Sequence, residues 1–123
     1  MIDHVSLNVT KLAAARPFYE RTLGALGWKV IHEWETGFGM GPEGGGCSFW
    51  IRQEGEASAP THVAFRSHDR AGVRAFHAAA LAGGGRDNGA PGIRDEYGPT
   101  YYAAFAHDPD GNNVEAVCLA GDA

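Results

Sequence analysis

The chain has 123 residues, 44% of them hydrophobic and 20% charged, a balance that fits one globular domain and excludes a disordered or fibrous chain. Its formal charge of −5 comes with ten scattered basic residues, so no basic stripe exists for nucleic-acid phosphates, and no apolar run approaches the roughly 20 residues of a membrane span. Cys47 and Cys118 are too few for a disulfide framework, and the opening Met1-Ile-Asp-His-Val5 lacks a basic leader, so the cytoplasm is the expected location.

Ile2–Val9 alternates as a half-buried strand should, with Val5, Leu7 and Val9 on one face and His4, Ser6 and Asn8 on the other. Thr10 is placed to cap the helix that follows. In that helix Leu12, Ala15, Phe18, Tyr19, Thr22 and Leu23 recur at helical spacing, and the Gly24–Gly27 region ends it. Short strands are expected over Trp28–Glu35, Gly37–Met40 and Cys47–Gln53, the last two joined by a Pro-Glu-Gly turn. Beyond them come a strand over Thr61–Ser67, a helix over Arg70–Ala82 and a weak strand around Arg86–Asn88. The stretch Asp87–Pro99, rich in Gly, Asp and Pro, is long enough to act as a lid. A hairpin of Tyr101–His107 with Asn113–Leu119 closes the chain around Asp108-Pro-Asp-Gly-Asn112, which is strong turn chemistry.

These elements repeat. An offset of 58 positions lays His4-Val5 on His62-Val63, Arg16 on Arg74, Phe18 on Phe76 and Leu23 on Leu81. A second block, Phe38–Gly44, matches Phe105–Gly111 at an offset of 67, which places about nine extra residues in the second half, most naturally before Tyr101. The expectation is a single α+β domain of two βαβββ modules, 1–56 and 60–120, forming a curved mixed sheet with the helices on its convex face.

Two such modules, with Asp3-His4-Val5-Ser6-Leu7, Thr61-His62-Val63-Ala64-Phe65 and the closing Phe105-Ala-His-Asp-Pro-Asp-Gly-Asn-Asn-Val-Glu115, resemble the vicinal-oxygen-chelate superfamily. This is the group of glyoxalase I, extradiol dioxygenases, and bleomycin- and fosfomycin-resistance proteins. The resemblance covers nearly the whole chain. It implies a concave face that holds a divalent metal and a small-molecule ligand, and chains of this length that pair as homodimers. The fold by itself does not name a substrate.

His4 and His62 are repeat mates facing away from the helix-covered side, and Glu115 lies on the last strand, where an unpartnered carboxylate would be costly to bury. Two imidazoles and one carboxylate match a facial triad suited to Fe, Mn, Ni, Co or Zn. The family places its ligands on the strands to which these three correspond. Glyoxalase I-type sites add a second Glu on the first module's last strand, but the repeat puts Ser48 or Trp50 opposite Glu115, and neither is a carboxylate.

Other pocket candidates are Ser6, Ser48, Trp50 and Arg52, the last two suited to a planar or anionic ligand, and Tyr102 as a proton donor, since alternation turns one of Tyr101 and Tyr102 inward. His32, His68 and His77 read as bystanders, and neither cysteine has a His beside it to make a nucleophile. The expected function is metal-dependent chelation of a substrate's vicinal oxygens, dioxygenase-like or glyoxalase/lyase-like. The alternative is a metal-free protein that sequesters its ligand, as bleomycin-resistance proteins do.

Overall fold

The computed structural model describes residues 1–121. Each half of the chain folds as β-α-β-β-β. The first module comprises β1 (Val5–Asn8), α1 (Leu12–Gly24), β2 (Trp28–Trp34), β3 (Gly37–Pro42) and β4 (Phe49–Arg52). The second comprises β5 (His62–Arg66), α2 (Arg70–Ala82), β6 (Arg86–Ile93), β7 (Tyr102–His107) and β8 (Asn113–Cys118). Each module makes its own four-stranded mixed sheet, ordered β1-β4-β3-β2 and β5-β8-β7-β6. In both, the first strand runs parallel to the last and the remaining pairs are antiparallel. No described helix is long and apolar enough to cross a membrane.

The α+β class and the doubled βαβββ unit are as the sequence predicts, and α2 begins and ends where the pattern places it. Two local expectations fail. Thr10 does not cap α1. The cap position is Lys11, which makes no side-chain bond, while Gln53 Oε1 accepts from Leu12 N at 2.8 Å. Thr10 instead donates through its backbone N (2.8 Å) and Oγ1 (2.7 Å) to the Asp110 carboxylate, because the turn between β7 and β8 comes to rest there. Nor is 87–99 a lid. β6 continues to Ile93, paired to β7 across two register shifts, and only a short turn at Asp95–Tyr97 separates it from β7.

A single core spans both modules. Phe18, Tyr19 and Leu23 of α1 and Val73, Phe76 and Ala80 of α2 are fully buried against the strand residues Phe38, Met40, Phe49, Ile51, Ala104, Ala106, Val114 and Ala116. Phe65 joins the two halves, its ring meeting Phe49 (5.3 Å, 81°) and Trp28 (5.4 Å, 85°) edge-on, a favoured aromatic geometry. The helix-bearing faces therefore pack on each other, the opposite face of each sheet turns outward, and β1 and β5 remain edge strands.

The Asp108-Pro-Asp-Gly-Asn112 turn fastens this arrangement. Asp108 is buried and accepts from the backbone N of Asp110 (2.9 Å) and Asn112 (2.8 Å), from Asn112 Nδ2 (2.8 Å) and from the Tyr19 hydroxyl of α1 (2.5 Å). Burial first, and then the Asp108 charge, push the Tyr19 pKa well above its ordinary value. Because the folded-state pKa is raised, the stability tied to this phenol is whole below about pH 10 and is lost as pH rises beyond it. Tyr19→Phe should therefore cost about 1–3 kcal/mol at neutral pH by leaving a buried carboxylate oxygen short of a donor. It should also flatten the alkaline fall of the urea midpoint above about pH 10; an unaltered alkaline fall would assign that loss to other groups.

Candidate functional site

The outward face of the second sheet carries a buried carboxylate. The strand registers set Ala64, Glu115, Phe105 and Gly89 side by side across β5, β8, β7 and β6, so their side chains share one face. Glu115 is 1% exposed although it points away from the core. Its Oε1 lies 2.8 Å from His62 Nε2, and its Oε2 accepts from the Tyr101 hydroxyl at 2.5 Å. The hydrogen bond to Glu115, followed by desolvation, pushes the Tyr101 pKa up to about 12, so the phenol keeps its proton at neutral pH and serves as a donor. The His62 side chain stays half-exposed at 51%, which leaves this pair open to solvent at the β5 edge.

On the first sheet the equivalent row is Ser6, Trp50 and Gly39. Ser6 pairs with Trp50 as its repeat mate Ala64 pairs with Glu115, so Trp50, and not Ser48, stands in Glu115's place. A register shift in β2 between Val30 and His32 re-aims the rest of that strand, as bulges do. Val30 lies opposite the core residue Met40, whereas His32 and Trp34 lie opposite Gly39 and Gly37 on the outward face. His32, Trp34 and Trp50 form an aromatic cluster with ring centroids 5.8–6.0 Å apart. A Cβ at Gly39 would meet Trp50 at 2.6 Å, and one at Gly37 would meet Trp34 at 2.6 Å, so the two indoles lie directly on the bare strand. Trp34 Nε1 donates to Glu54 Oε2 (2.8 Å) and Thr36 Oγ1 (3.0 Å). Hydrogen bonds from Thr36 and Trp34 in turn hold the Glu54 carboxyl below its usual range.

The remaining predicted residues scatter. His4 precedes β1, is exposed, and its Nδ1 lies 2.8 Å from Asp3 Oδ1. Among the described residues, no three His, Cys, Asp or Glu side chains of one chain are grouped to hold a metal, so His4 does not join His62 and Glu115 here. Ser6 and Arg52 are exposed, and Arg52 Nη1 is 3.7 Å from Glu54 Oε1. Ser48 lines a crevice of about 460 Å³ between the modules, with Val5, Trp28, Phe49, His62 and Val63. Tyr102 is displaced from its predicted role. It faces α2, with Arg70 stacked 4.9 Å above its ring and Arg74 donating to its hydroxyl at 3.4 Å, while Tyr101, just before the strand, reaches Glu115. A larger cleft of about 580 Å³ between α1 and the β2–β3 turn lies apart from this face, and its cation, Arg16, is already paired with Glu20 and Glu33.

Sequence reasoning left Tyr101 and Tyr102 as alternatives and chose Tyr102, read His32 as a bystander, and did not place Trp34 on this face. A β2 bulge leaves no mark in an alternation pattern, and the two adjacent tyrosines differ only in which face the strand gives them.

The family model for the Glyoxalase/Bleomycin resistance protein/Dioxygenase superfamily matches residues 1–116. The chain belongs to this superfamily. A glyoxalase/bleomycin resistance protein from Albidiferax ferrireducens T118 superposes with a TM-score of 0.79 at 28% identity, covering 94% of this chain and 95% of that one. Lactoylglutathione lyase from Agrobacterium tumefaciens shares the fold at a TM-score of 0.68 and 18% identity, covering 96% and 92%. A glyoxalase I mutant from Zea mays does so at 0.70 and 21%, covering 98% of this chain but 45% of that longer one. No curated protein matches the chain at a significant level.

Because the Trp50 ring occupies the space a Cβ would need, Gly39→Ala should destabilise the superfamily fold by about 1–3 kcal/mol, as overpacking does. The tryptophan emission should shift with it. Gly46→Ala, where a Cβ meets nothing within 4 Å, should leave stability unchanged to within about 0.5 kcal/mol. Equal urea midpoints for the two variants would show that Trp50 does not rest on Gly39.

Proposed function

We propose that this protein is a divalent-metal-dependent enzyme acting on a small molecule with two neighbouring oxygens, and that its site is completed by a second copy of the chain. The observation that carries the reading is Glu115, a carboxylate 1% exposed on an outward face with His62 Nε2 at 2.8 Å. Burying a carboxylate is costly unless it is paired, and an imidazole and a carboxylate converging at an open edge are the donors that Fe, Mn, Ni, Co or Zn accept. His4 supplies the third donor in this reading. It stands before β1, an edge strand of the first sheet, as His62 opens β5, an edge strand of the second. Within one chain His4 does not group with His62 and Glu115, whereas a twofold dimer lets the face with His4 meet the face with His62 and Glu115.

A bound cation would supply Lewis-acid polarisation of the substrate's paired oxygens. The chain's own residues do the rest. Tyr101 fixes Glu115 Oε2 by donating its hydroxyl proton and holds that proton throughout the neutral range. Phe105, its ring centroid 6.2 Å from that of His62, gives the ligand an apolar floor. The His32, Trp34 and Trp50 cluster offers a stacking wall where a fourth carboxylate ligand is lacking. That wall also supports a second reading, a metal-free protein that sequesters an aromatic ligand.

Metal analysis of protein purified without chelator separates the two. Near-stoichiometric metal in wild type, lost in His62→Ala and Glu115→Gln and weakened in His4→Ala, is the expected result. Mixing His4→Ala with Glu115→Gln should restore about a quarter of the sites, since half of the mixed molecules are heterodimers with one intact site of two. Wild type without metal would leave the sequestering reading; metal binding by His4→Ala equal to wild type would remove His4 and the shared site.

A further inference from the structure

The outward face of the second sheet also carries a cation with no anion. Arg94 leaves the end of β6 and folds back over it, donating from Nη2 to the Ala90 carbonyl at 2.7 Å, with Cζ 5.3 Å above the Phe105 ring. The floor beneath it is made by two glycines. A Cβ at Gly89 would meet Nη2 at 3.1 Å, and one at Gly92 would meet Nη1 at 3.2 Å. Gly89 lies opposite Phe105, which lies opposite Glu115, so the guanidinium shares a face with the His62–Glu115 pair. The strand order puts Arg94 on the β6 side of Phe105 and His62 with Glu115 on the other. The two register shifts of β6 fall at Gly89 and Gly92, and glycine within a strand commonly marks such a close approach.

The charge bookkeeping on this face is unbalanced. Arg16 of α1 is paired with Glu20 and Glu33, and Arg52 on the first sheet with Glu54, whereas on the second sheet no carboxylate among the described residues lies within ion-pair distance of Arg94. Its bond to Ala90 leaves most of its N–H donors without a protein partner. A half-buried guanidinium held over an aromatic ring, with Nη2 fixed by Ala90 and its other donors free, is organised for a planar oxyanion, which a guanidinium binds with two parallel hydrogen bonds.

We propose that Arg94 is the anion-recognising residue of this face, taking a carboxylate on the ligand whose paired oxygens lie at His62 and Glu115, with the body of the ligand over Phe105. This rests on the reading of that face as the ligand site and narrows the substrate class to small carboxylated molecules. Were Arg94 only a cover for Phe105, a carboxylate on the ligand would bring no advantage.

The test compares two probes that differ only in a carboxylate, 3,4-dihydroxybenzoate and catechol, titrated into the full-length protein by calorimetry with and without Mn²⁺. Wild type should bind the carboxylated probe about 10-fold more tightly or better, the scale of one charge-assisted bidentate contact. Arg94→Gln should bring the two probes to within about 2-fold while leaving catechol affinity and metal content unchanged. Arg94→Lys, which keeps the charge and loses the fork, should retain part of the preference and guards against loss of fold in the glutamine variant. Equal affinities in wild type, no measurable binding of 3,4-dihydroxybenzoate, or a preference that survives in Arg94→Gln would each overturn the proposal. The Mn²⁺-free titrations separate its failure from that of the metal reading, since the carboxylate preference is read there without the cation.

Discussion

Phe65 is the residue on which the arrangement of the chain turns. It points from β5 into the core and meets Phe49 and Trp28 of the other module edge-on, a burial of the order of 2–3 kcal/mol for that side chain. With it, the two helix-bearing sheet faces share one core, as a domain of this size requires to bury enough apolar surface. The consequence is geometric. Once those faces are inside, every polar residue that alternates with them is turned outward, and the edge strands β1 and β5 are left free. The Tyr19–Asp108 bond and the paired bonds of Thr10 to Asp110 reinforce the same docking from the far end.

The two outward faces have diverged on a common frame. At the matched position the second sheet carries Glu115 and the first carries Trp50. Around Glu115 the neighbours are an imidazole and a phenol, and beyond Phe105 a guanidinium, so that face is organised by charge and hydrogen bonding. Around Trp50 the neighbours are glycines, a second indole and an imidazole, so that face is organised by flat apolar contact. Glycines serve both faces, admitting Trp34 and Trp50 against β3 and the Arg94 guanidinium against β6. Such glycines weaken a strand, which makes their placement more telling than their number.

The Asp108-Pro-Asp-Gly-Asn112 segment shows how a motif can be specific and yet serve architecture. It is the most recognisable stretch of the chain, but its carboxylates face α1 and the turn itself, and none lies in the candidate site. Its specificity comes from the number of donors a single buried Asp must gather. Glu115, five residues past the Pro-Asp pair, depends on it indirectly, because the turn sets the register in which β8 meets β5 and β7.

The sequence by itself determined the doubled βαβββ order, the bounds of both helices to within a residue or two, and the outward placement of Glu115 and His62. Those features follow from alternation, helical periodicity and turn chemistry, all of which act over a few residues. Only the tertiary structure decided which of Ser48 and Trp50 answers Glu115, since that depends on pairing register between strands far apart in the chain. It also exchanged Tyr102 for Tyr101, moved His32 and Trp34 to the outward face through a bulge, and turned an expected lid into the strand that presents Arg94. A one-residue shift in a strand reverses its faces at little local cost, so such choices are made by packing against the rest of the molecule and leave no mark in the local pattern.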